Sequence, residues 1–249
     1  MCGRYAQTAN MDLIVEEFGV TGSLPHDPLP LNWNIAPTNP IYIVTATHES
    51  GSEILKRNLD IASWGLIAPW ERDYALARAS QSRAINARSE SIHEKPTFRD
   101  SFRHHRCLIP ASGYYEWATA LGRYKTKQPF YIHRKDGHQI SFAGIFSTWK
   151  SADGREIQSA AVVTRDAVNE LETVHDRMPV MMRPERWDDW LDPENKDVDF
   201  IRSLMRFDNS HEPDEGITFH PISTRVNIVA NNGPAIIEPI ELGEPETLF

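Results

Sequence analysis

Apolar residues along the chain fall in short runs broken by Gly, Pro, Asn and Asp, and no helical period is sustained over a long stretch. Ile41–Ala46 and Leu59–Trp64 are rich in apolar and β-branched residues, the composition of strands. Arg106–Ile109, Gly113–Trp117, Phe130–His133, Gln139–Gly144 and Ala160–Thr164 have the same character. Asp136-Gly137 and Asp153-Gly154 are hairpin-turn signals. Apolar spacing predicts helices over Asp12–Phe18, Asp166–Leu171, Arg183–Leu191 and Asp197–Phe207, and Leu24–Pro40 reads as a proline-rich loop. Many short strands with scattered helices predict an α+β fold with a curled or barrel-like sheet.

Composition narrows the class. The 249 residues suit one large domain or two small ones, and 40% hydrophobic with 24% charged residues is ordinary for a globular chain. No apolar run approaches the ~18 residues of a membrane span, and the polar first ten residues do not read as a signal peptide. Only Cys2 and Cys107 are present, which excludes a disulfide framework and a cysteine-built zinc site. No Gly-x-Gly-x-x-Gly, Walker or His-Glu-x-x-His pattern occurs. A nucleotide cofactor and a metal are therefore not expected, nor is any other cofactor. The expected compartment is the cytosol, or the nucleus in a eukaryotic host.

The net charge of −9 speaks against a nucleic-acid partner until its distribution is considered. Residues 185–219 hold eleven acids against four bases, and the tail 238–249 holds four glutamates and no base. By contrast Arg83–Arg106 carries six bases (Arg83, Arg88, Lys95, Arg99, Arg103, Arg106) against three acids. Such a patch is either a solvated face or a set of phosphate contacts.

Candidate chemistry begins at Met1-Cys2-Gly3-Arg4. Removal of Met1 would leave an α-amine and a thiol on one residue, with unperturbed pKa values of roughly 7.7–8.0 and about 8.5. Such an aminothiol condenses with an aldehyde to an imine, and the thiol then closes a thiazolidine. The alternative is a cysteine in a frayed terminus. Asn86 and Arg88 are two apart, so in an extended segment they share a face. They would fix a sugar oxygen and a phosphate, or else form a turn with solvated arginines. Glu116 lies within Gly113-Tyr114-Tyr115-Glu116-Trp117. Either the aromatics desolvate it and raise its pKa toward acid/base work, or it faces solvent. His175, in Val174-His175-Asp176-Arg177-Met178-Pro179, is a candidate proton shuttle or an incidental loop histidine. Trp70 is placed to stack on bases of a single strand, whereas Trp64, at a strand end, reads as core.

Taken in order, these segments resemble one family. Met-Cys-Gly-Arg, Asn34-Ile35-Ala36-Pro37-Thr38, Trp64-Gly65-Leu66, Ile85-Asn86-Ala87-Arg88-Ser89-Glu90, Arg106-Cys107-Leu108-Ile109-Pro110, Gly113-Tyr114-Tyr115-Glu116-Trp117, Phe142-Ala143-Gly144, Thr164 and His175-Asp176-Arg177-Met178-Pro179 together resemble the SOS-response-associated peptidase (SRAP) family. The resemblance spans roughly residues 2–235 and leaves 236–249 as an acidic tail. It implies a single domain with a curled, barrel-like, mainly antiparallel sheet flanked by helices. It further implies covalent capture of abasic sites in single-stranded DNA through a thiazolidine cross-link, with abasic-site lyase and self-processing activity at Met1 as accompaniments. Cys2 maps onto the nucleophile, and Asn86, Glu116 and His175 onto the other active-site residues. Arg4, Arg88 and Arg177 map onto contacts to the DNA backbone. Two rival readings stand beside it. One is an N-terminal-nucleophile cysteine amidohydrolase of the glutaminase type, poorly served by the lone Asn232-Gly233 pair. The other is a non-enzymatic single-stranded DNA-binding module.

Overall fold

The computed structural model describes residues 2–49, 52, 54–119, 124–151, 154–206 and 216–242. Five strands close a barrel: β3 (Pro40–His48), β4 (Leu55–Trp64), β6 (Arg106–Ala111), β9 (Ile140–Lys150) and β10 (Glu156–Asp166). Around it run β3–β4, β3–β6, β6–β9 and β9–β10 antiparallel pairs, and a parallel β4–β10 pair completes the circuit. The second sheet has the order β12-β8-β7-β1-β2. It comprises β1 (Tyr5–Gln7), β2 (Asn32–Ile35), β7 (Gly113–Trp117), β8 (Pro129–Arg134) and β12 (Ile217–Pro221). Two short strands, β5 (Asn86–Arg88) and β11 (Arg177–Pro179), join β10 where its barrel neighbours leave it.

Barrel strands are buried on both sides, which explains their unbroken apolar runs. Alternation sends Ile43, Ala62, Cys107, Ile109, Phe142, Ala160 and Val162 to one cluster and Val44, Leu59, Leu108, Ala143, Ala161 and Val163 to another. The first set lines the interior. A Cβ on Gly144 would sit 2.9 Å from both Cys107 Sγ and Ile109 Cδ1, so only glycine fits there. The second set is the outer face. It is covered by α1 (Met11–Glu17), α3 (Pro96–His104), α4 (Trp187–Leu191) and α5 (Val198–Leu204), through Ile14, Phe18, Phe102, Trp187, Trp190, Ile201 and Leu204. Phe18 stacks on Trp187 at 4.8 Å, and the Trp190 indole donates to the Cys107 carbonyl at 2.8 Å. Local chemistry fixes the helix starts. Asn10 caps α1, Asp197 caps α5, and Asp73 caps α2 (Tyr74–Gln81).

The α+β, barrel-containing fold is as expected, and each predicted strand is present, several of them longer than expected. Four elements differ, the first being the expected loop Leu24–Pro40, of which Asn32–Ile35 forms β2. Asp166 ends β10 in register with Arg177, and the expected helix at Asp166–Leu171 is instead a 3-10 turn over Asn169–Thr173. Arg183–Leu191 divides into a 3-10 turn, Pro184–Arg186, and the short α4. Asp136-Gly137 is a turn between β8 and β9, but those strands belong to different sheets and do not form a hairpin. At the other turn signal Gly154 links β9 to β10 with φ 83°, while Asp153 lies outside the described residues. Phe207 of the predicted last helix and residues 243–249 of the acidic tail also lie outside them. Ahead of these, Ile236 is buried and the Ile240 N–H donates to Pro221. Among the described residues, no helix is long and apolar enough to cross a membrane.

Candidate active site

Strand β10 organises the site. Along its last turns, β5 pairs on one edge (Val162 with Asn86, Thr164 with Arg88) and β11 on the other (Asp166 with Arg177). Strand β7 supplies the opposite wall. It continues β6 after a single residue, Ser112, and crosses into the second sheet at Gly113, where a Cβ would lie 2.4 Å from the Tyr131 ring. There β1 pairs with β7 (Tyr5 with Tyr114), which brings the amino-terminal segment beside Glu116.

Cys2 is fully buried against Tyr5, Tyr114 and the barrel cluster. The Asn86 side-chain amide donates to the Cys2 carbonyl at 2.7 Å. Asn86 Oδ1 is buried and accepts no hydrogen bond among the described residues. That oxygen is available to a ligand's donor. Trp64 is core, as its strand-end position suggested, and its indole donates to the Ile85 carbonyl at 3.1 Å, fixing the residue before Asn86. Burial, reinforced by the nearby Glu116 carboxylate, pushes the Cys2 thiol well above its ordinary value. The thiol is thus protonated in the resting site, contrary to the partial ionisation expected of an exposed terminus. Its proton must pass to a base as sulfur attacks.

Glu116 is 3% exposed, and burial raises its pKa to about 7. The sequence left a solvent-facing Glu116 open; the structure closes that option. His175 Nε2 lies 3.8 Å from Glu116 Oε2. Backbone contacts hold the imidazole's loop: the His175 N–H donates to Leu171 and the Ala167 N–H to Asp176. At the other ring nitrogen two contacts compete. The Arg177 backbone N–H donates to Nδ1 at 2.9 Å, and Asp176 Oδ1 lies 2.8 Å from the same atom. One nitrogen cannot accept from the first and donate to the second. Asp176 is 74% exposed and has water as an alternative, whereas the partly buried N–H does not. The neutral ring therefore carries its proton on Nε2, toward Glu116. Burial also lowers the His175 pKa, favouring that neutral form.

The expected DNA contacts separate into two groups. Arg88 and Trp70 are exposed, Trp70 by 51%. Arg4 and Arg177 are internally engaged. Arg4 lies across from Tyr115, on the face of β7 opposite Glu116, and its Nη1 donates to Asn34 Oδ1 at 2.7 Å and the Val226 carbonyl at 3.0 Å. Arg177 is 8% exposed. Its guanidinium forks onto Glu90 at 2.8 and 3.1 Å and also bonds Asp166. Burial would lower the Arg177 pKa, but these carboxylates more than offset it and the pKa is raised. Internal hydrogen bonds thus engage both guanidinium groups, Arg177 in a buried position and Arg4 in a half-buried one. Within the basic patch, Arg106 is also engaged: it is 3% exposed and donates to five carbonyls, those of Phe102, Arg103, Trp190, Asp192 and Asn195. Arg83, Lys95, Arg99 and Arg103 remain exposed. Asn34 and Asp166 carry no signal of these roles in the sequence, since their partners are 30 and 11 residues away, and Glu90 stands there as one more residue of the Asn86–Glu90 run.

The site thus holds an N-terminal-segment thiol, a carboxamide, a carboxyl that titrates near neutrality and a neutral imidazole. Such a set can orient a carbonyl, move protons to and from it, and deliver sulfur. Among the described residues, no three His, Cys, Asp or Glu side chains group to hold a metal ion.

The model of the SOS response associated peptidase (SRAP) family matches residues 1–229, and the chain belongs to that family. It is 33% identical over 238 residues to the abasic site processing protein YoqW of Bacillus subtilis, covering 96% of this chain and 99% of that one. The abasic site processing protein YedK of Escherichia coli is 30% identical over 247 residues, covering 96% of this chain and all of YedK. Among solved structures, a Bacteroides thetaiotaomicron protein superposes with a TM-score of 0.77 at 25% identity, covering 96% of this chain and all of that one.

Proposed function

We propose that the protein processes abasic sites in single-stranded DNA by forming a thiazolidine cross-link at Cys2. The observation that carries this reading is the convergence of Cys2, Asn86, Glu116 and His175, with Asn86 bonded to the Cys2 carbonyl and His175 3.8 Å from the buried Glu116. The names of the relatives, abasic site processing proteins, supply the electrophile.

An opened abasic deoxyribose presents an aldehyde at C1′. After Met1 is removed, the free Cys2 amine adds to that carbon, and loss of one water gives an iminium. Sulfur then adds to the same carbon, its proton leaves to a base, and the five-membered ring traps the imine. Glu116 and His175 are the two groups able to take and return these protons, since one titrates at about 7 and the other is held neutral. Asn86 orients the Cys2 backbone through one end of its amide and offers the buried Oδ1 to the amine or a sugar hydroxyl. Arg88 neutralises a phosphate beside the lesion and Trp70 stacks on a neighbouring base. Abasic-site lyase activity follows if the iminium loses a C2′ proton and expels the 3′-phosphate from C3′ before sulfur closes on it. Self-processing at Met1 is a separate step, and Met1 lies outside the described residues.

The test is a time course with a uracil-containing single strand treated with a uracil glycosylase, resolved on a denaturing gel. A heat-stable shifted band is the expected product. Strand cleavage without a shift would indicate a lyase alone. Equal non-covalent binding of intact and abasic strands would support the binding-module reading instead.

A further inference from the structure

Glu90 and Asp166 are distant in sequence from each other, and neither touches the proposed reacting atoms. Both grip the same guanidinium. Arg177 Nη1 donates to Glu90 Oε1 and to Asp166 Oδ1, and Nη2 donates to Glu90 Oε2 and, at 3.5 Å, to Thr164 Oγ1 of β10. The result is a brace across β10: Glu90 follows β5, which carries Asn86, and Arg177 opens β11, directly after the His175 loop.

We propose that Glu90 and Asp166 are positioning residues for His175. By fixing Arg177 they hold its backbone N–H against Nδ1, and so keep the Nε2 proton directed at Glu116. The proposal for catalysis rests on the reading of the site given above, whereas the tautomer it predicts does not.

Two contacts compete at Nδ1. The Arg177 N–H at 2.9 Å requires a lone pair on Nδ1, while Asp176 at 2.8 Å would accept a proton from it. Whichever contact is held more firmly decides where the ring proton sits. A backbone N–H has no freedom of its own; its position follows from its residue's anchorage. The β11–β10 pairing sets that position, the bidentate fork to Glu90 and the bond to Asp166 hold the residue in it, and the buried Arg177 side chain cannot swing elsewhere without stranding its charge. Loosen the fork and Asp176, already within reach, accepts a hydrogen bond from the ring proton, which then sits on Nδ1. Nε2 then faces Glu116 without a proton to give. Because Asn86 and Glu90 lie on one short segment, the brace also ties the residue that holds Cys2 to the residue that holds His175.

The experiment uses the full chain with 15N-labelled histidine, at pH 8, where the ring is neutral, and His175→Gln to assign its signals. Wild type should show the Nε2–H tautomer for His175. Glu90→Gln, Asp166→Asn and the double variant should shift it toward Nδ1–H, with Glu90→Asp restoring part of the wild-type signal. Asp166 is 81% exposed, so its substitution leaves the core intact. In single-turnover reactions with saturating abasic oligonucleotide, the double variant should cross-link about 10- to 100-fold more slowly. If His175 keeps the Nε2–H tautomer in the double variant, the brace does not position it and the proposal is overturned. If wild type forms no covalent product, the functional reading fails, and the tautomer result still decides the structural part.

Discussion

Replacing Glu116 by Gln separates the cost of the site from its use. The carboxyl is buried and its pKa is raised from 4.5 to about 7. Between those values the folded chain holds a proton that the unfolded chain has released. Stability contributed by Glu116 is therefore fully present below pH 4.5 and is lost as pH rises through 7. At about 1.36 kcal/mol per pH unit, keeping the ionised form buried costs the fold about 3 kcal/mol above neutrality. Glutamine has nearly the shape of the neutral acid and no charge to desolvate. Urea unfolding of both proteins should show near-equal stability at pH 4.5 and a variant more stable by about 3 kcal/mol at pH 8.5, with the urea slope unchanged. The same variant should lose covalent capture at both pH values. A stability difference that stays constant across this range would refute the claim that burial holds Glu116 near neutrality. It would also remove the basis for its role as an acid and base at physiological pH.

Three other substitutions probe separate parts of the account. Arg88→Gln should weaken binding to single strands regardless of sequence and make the logarithmic salt dependence shallower by about 0.7, as expected for one lost phosphate contact, read by fluorescence anisotropy across a salt series. Trp70→Ala should cost about 1–3 kcal/mol of binding to a single strand, measured in the same way, while leaving the unfolding midpoint unchanged because the side chain is exposed. Gly113→Ala should destabilise by about 1–3 kcal/mol in urea, since the added Cβ would meet the Tyr131 ring at 2.4 Å on the strand that carries Glu116.

Much of the barrel was legible because its strands are buried on both faces and read as dense apolar runs. Strands β5 and β11 were not, since each is only three residues long and is extended by its pairing with β10, not by its own composition. Asp166–Leu171 misled for the same reason: a helical spacing of apolar residues lost to the antiparallel register of Asp166 with Arg177. At the site, Cys2, Asn86, Glu116 and His175 were visible as reactive residue types in ordered motifs. What the linear chain did not disclose was where the arginines spend their charge. Arg4, Arg88, Arg106 and Arg177 look alike in sequence. Only tertiary contacts distinguish Arg88, which is exposed, from Arg106, which is sunk among five carbonyls, and from Arg177, which is locked by two carboxylates. The state of the Cys2 thiol was equally hidden, because it depends on burial by residues far along the chain.

The central claim is that the amine and thiol of Cys2 together capture an abasic aldehyde, and intact-mass spectrometry tests it most directly. The protein is incubated with a short glycosylase-treated single strand and weighed without reduction of the imine. The account predicts a species equal to the chain lacking Met1, plus the oligonucleotide, minus one water, stable to heat and absent from Cys2→Ala. An adduct of Cys2→Ala that likewise equals its own chain plus the oligonucleotide minus one water, and is equally stable to heat, would contradict it.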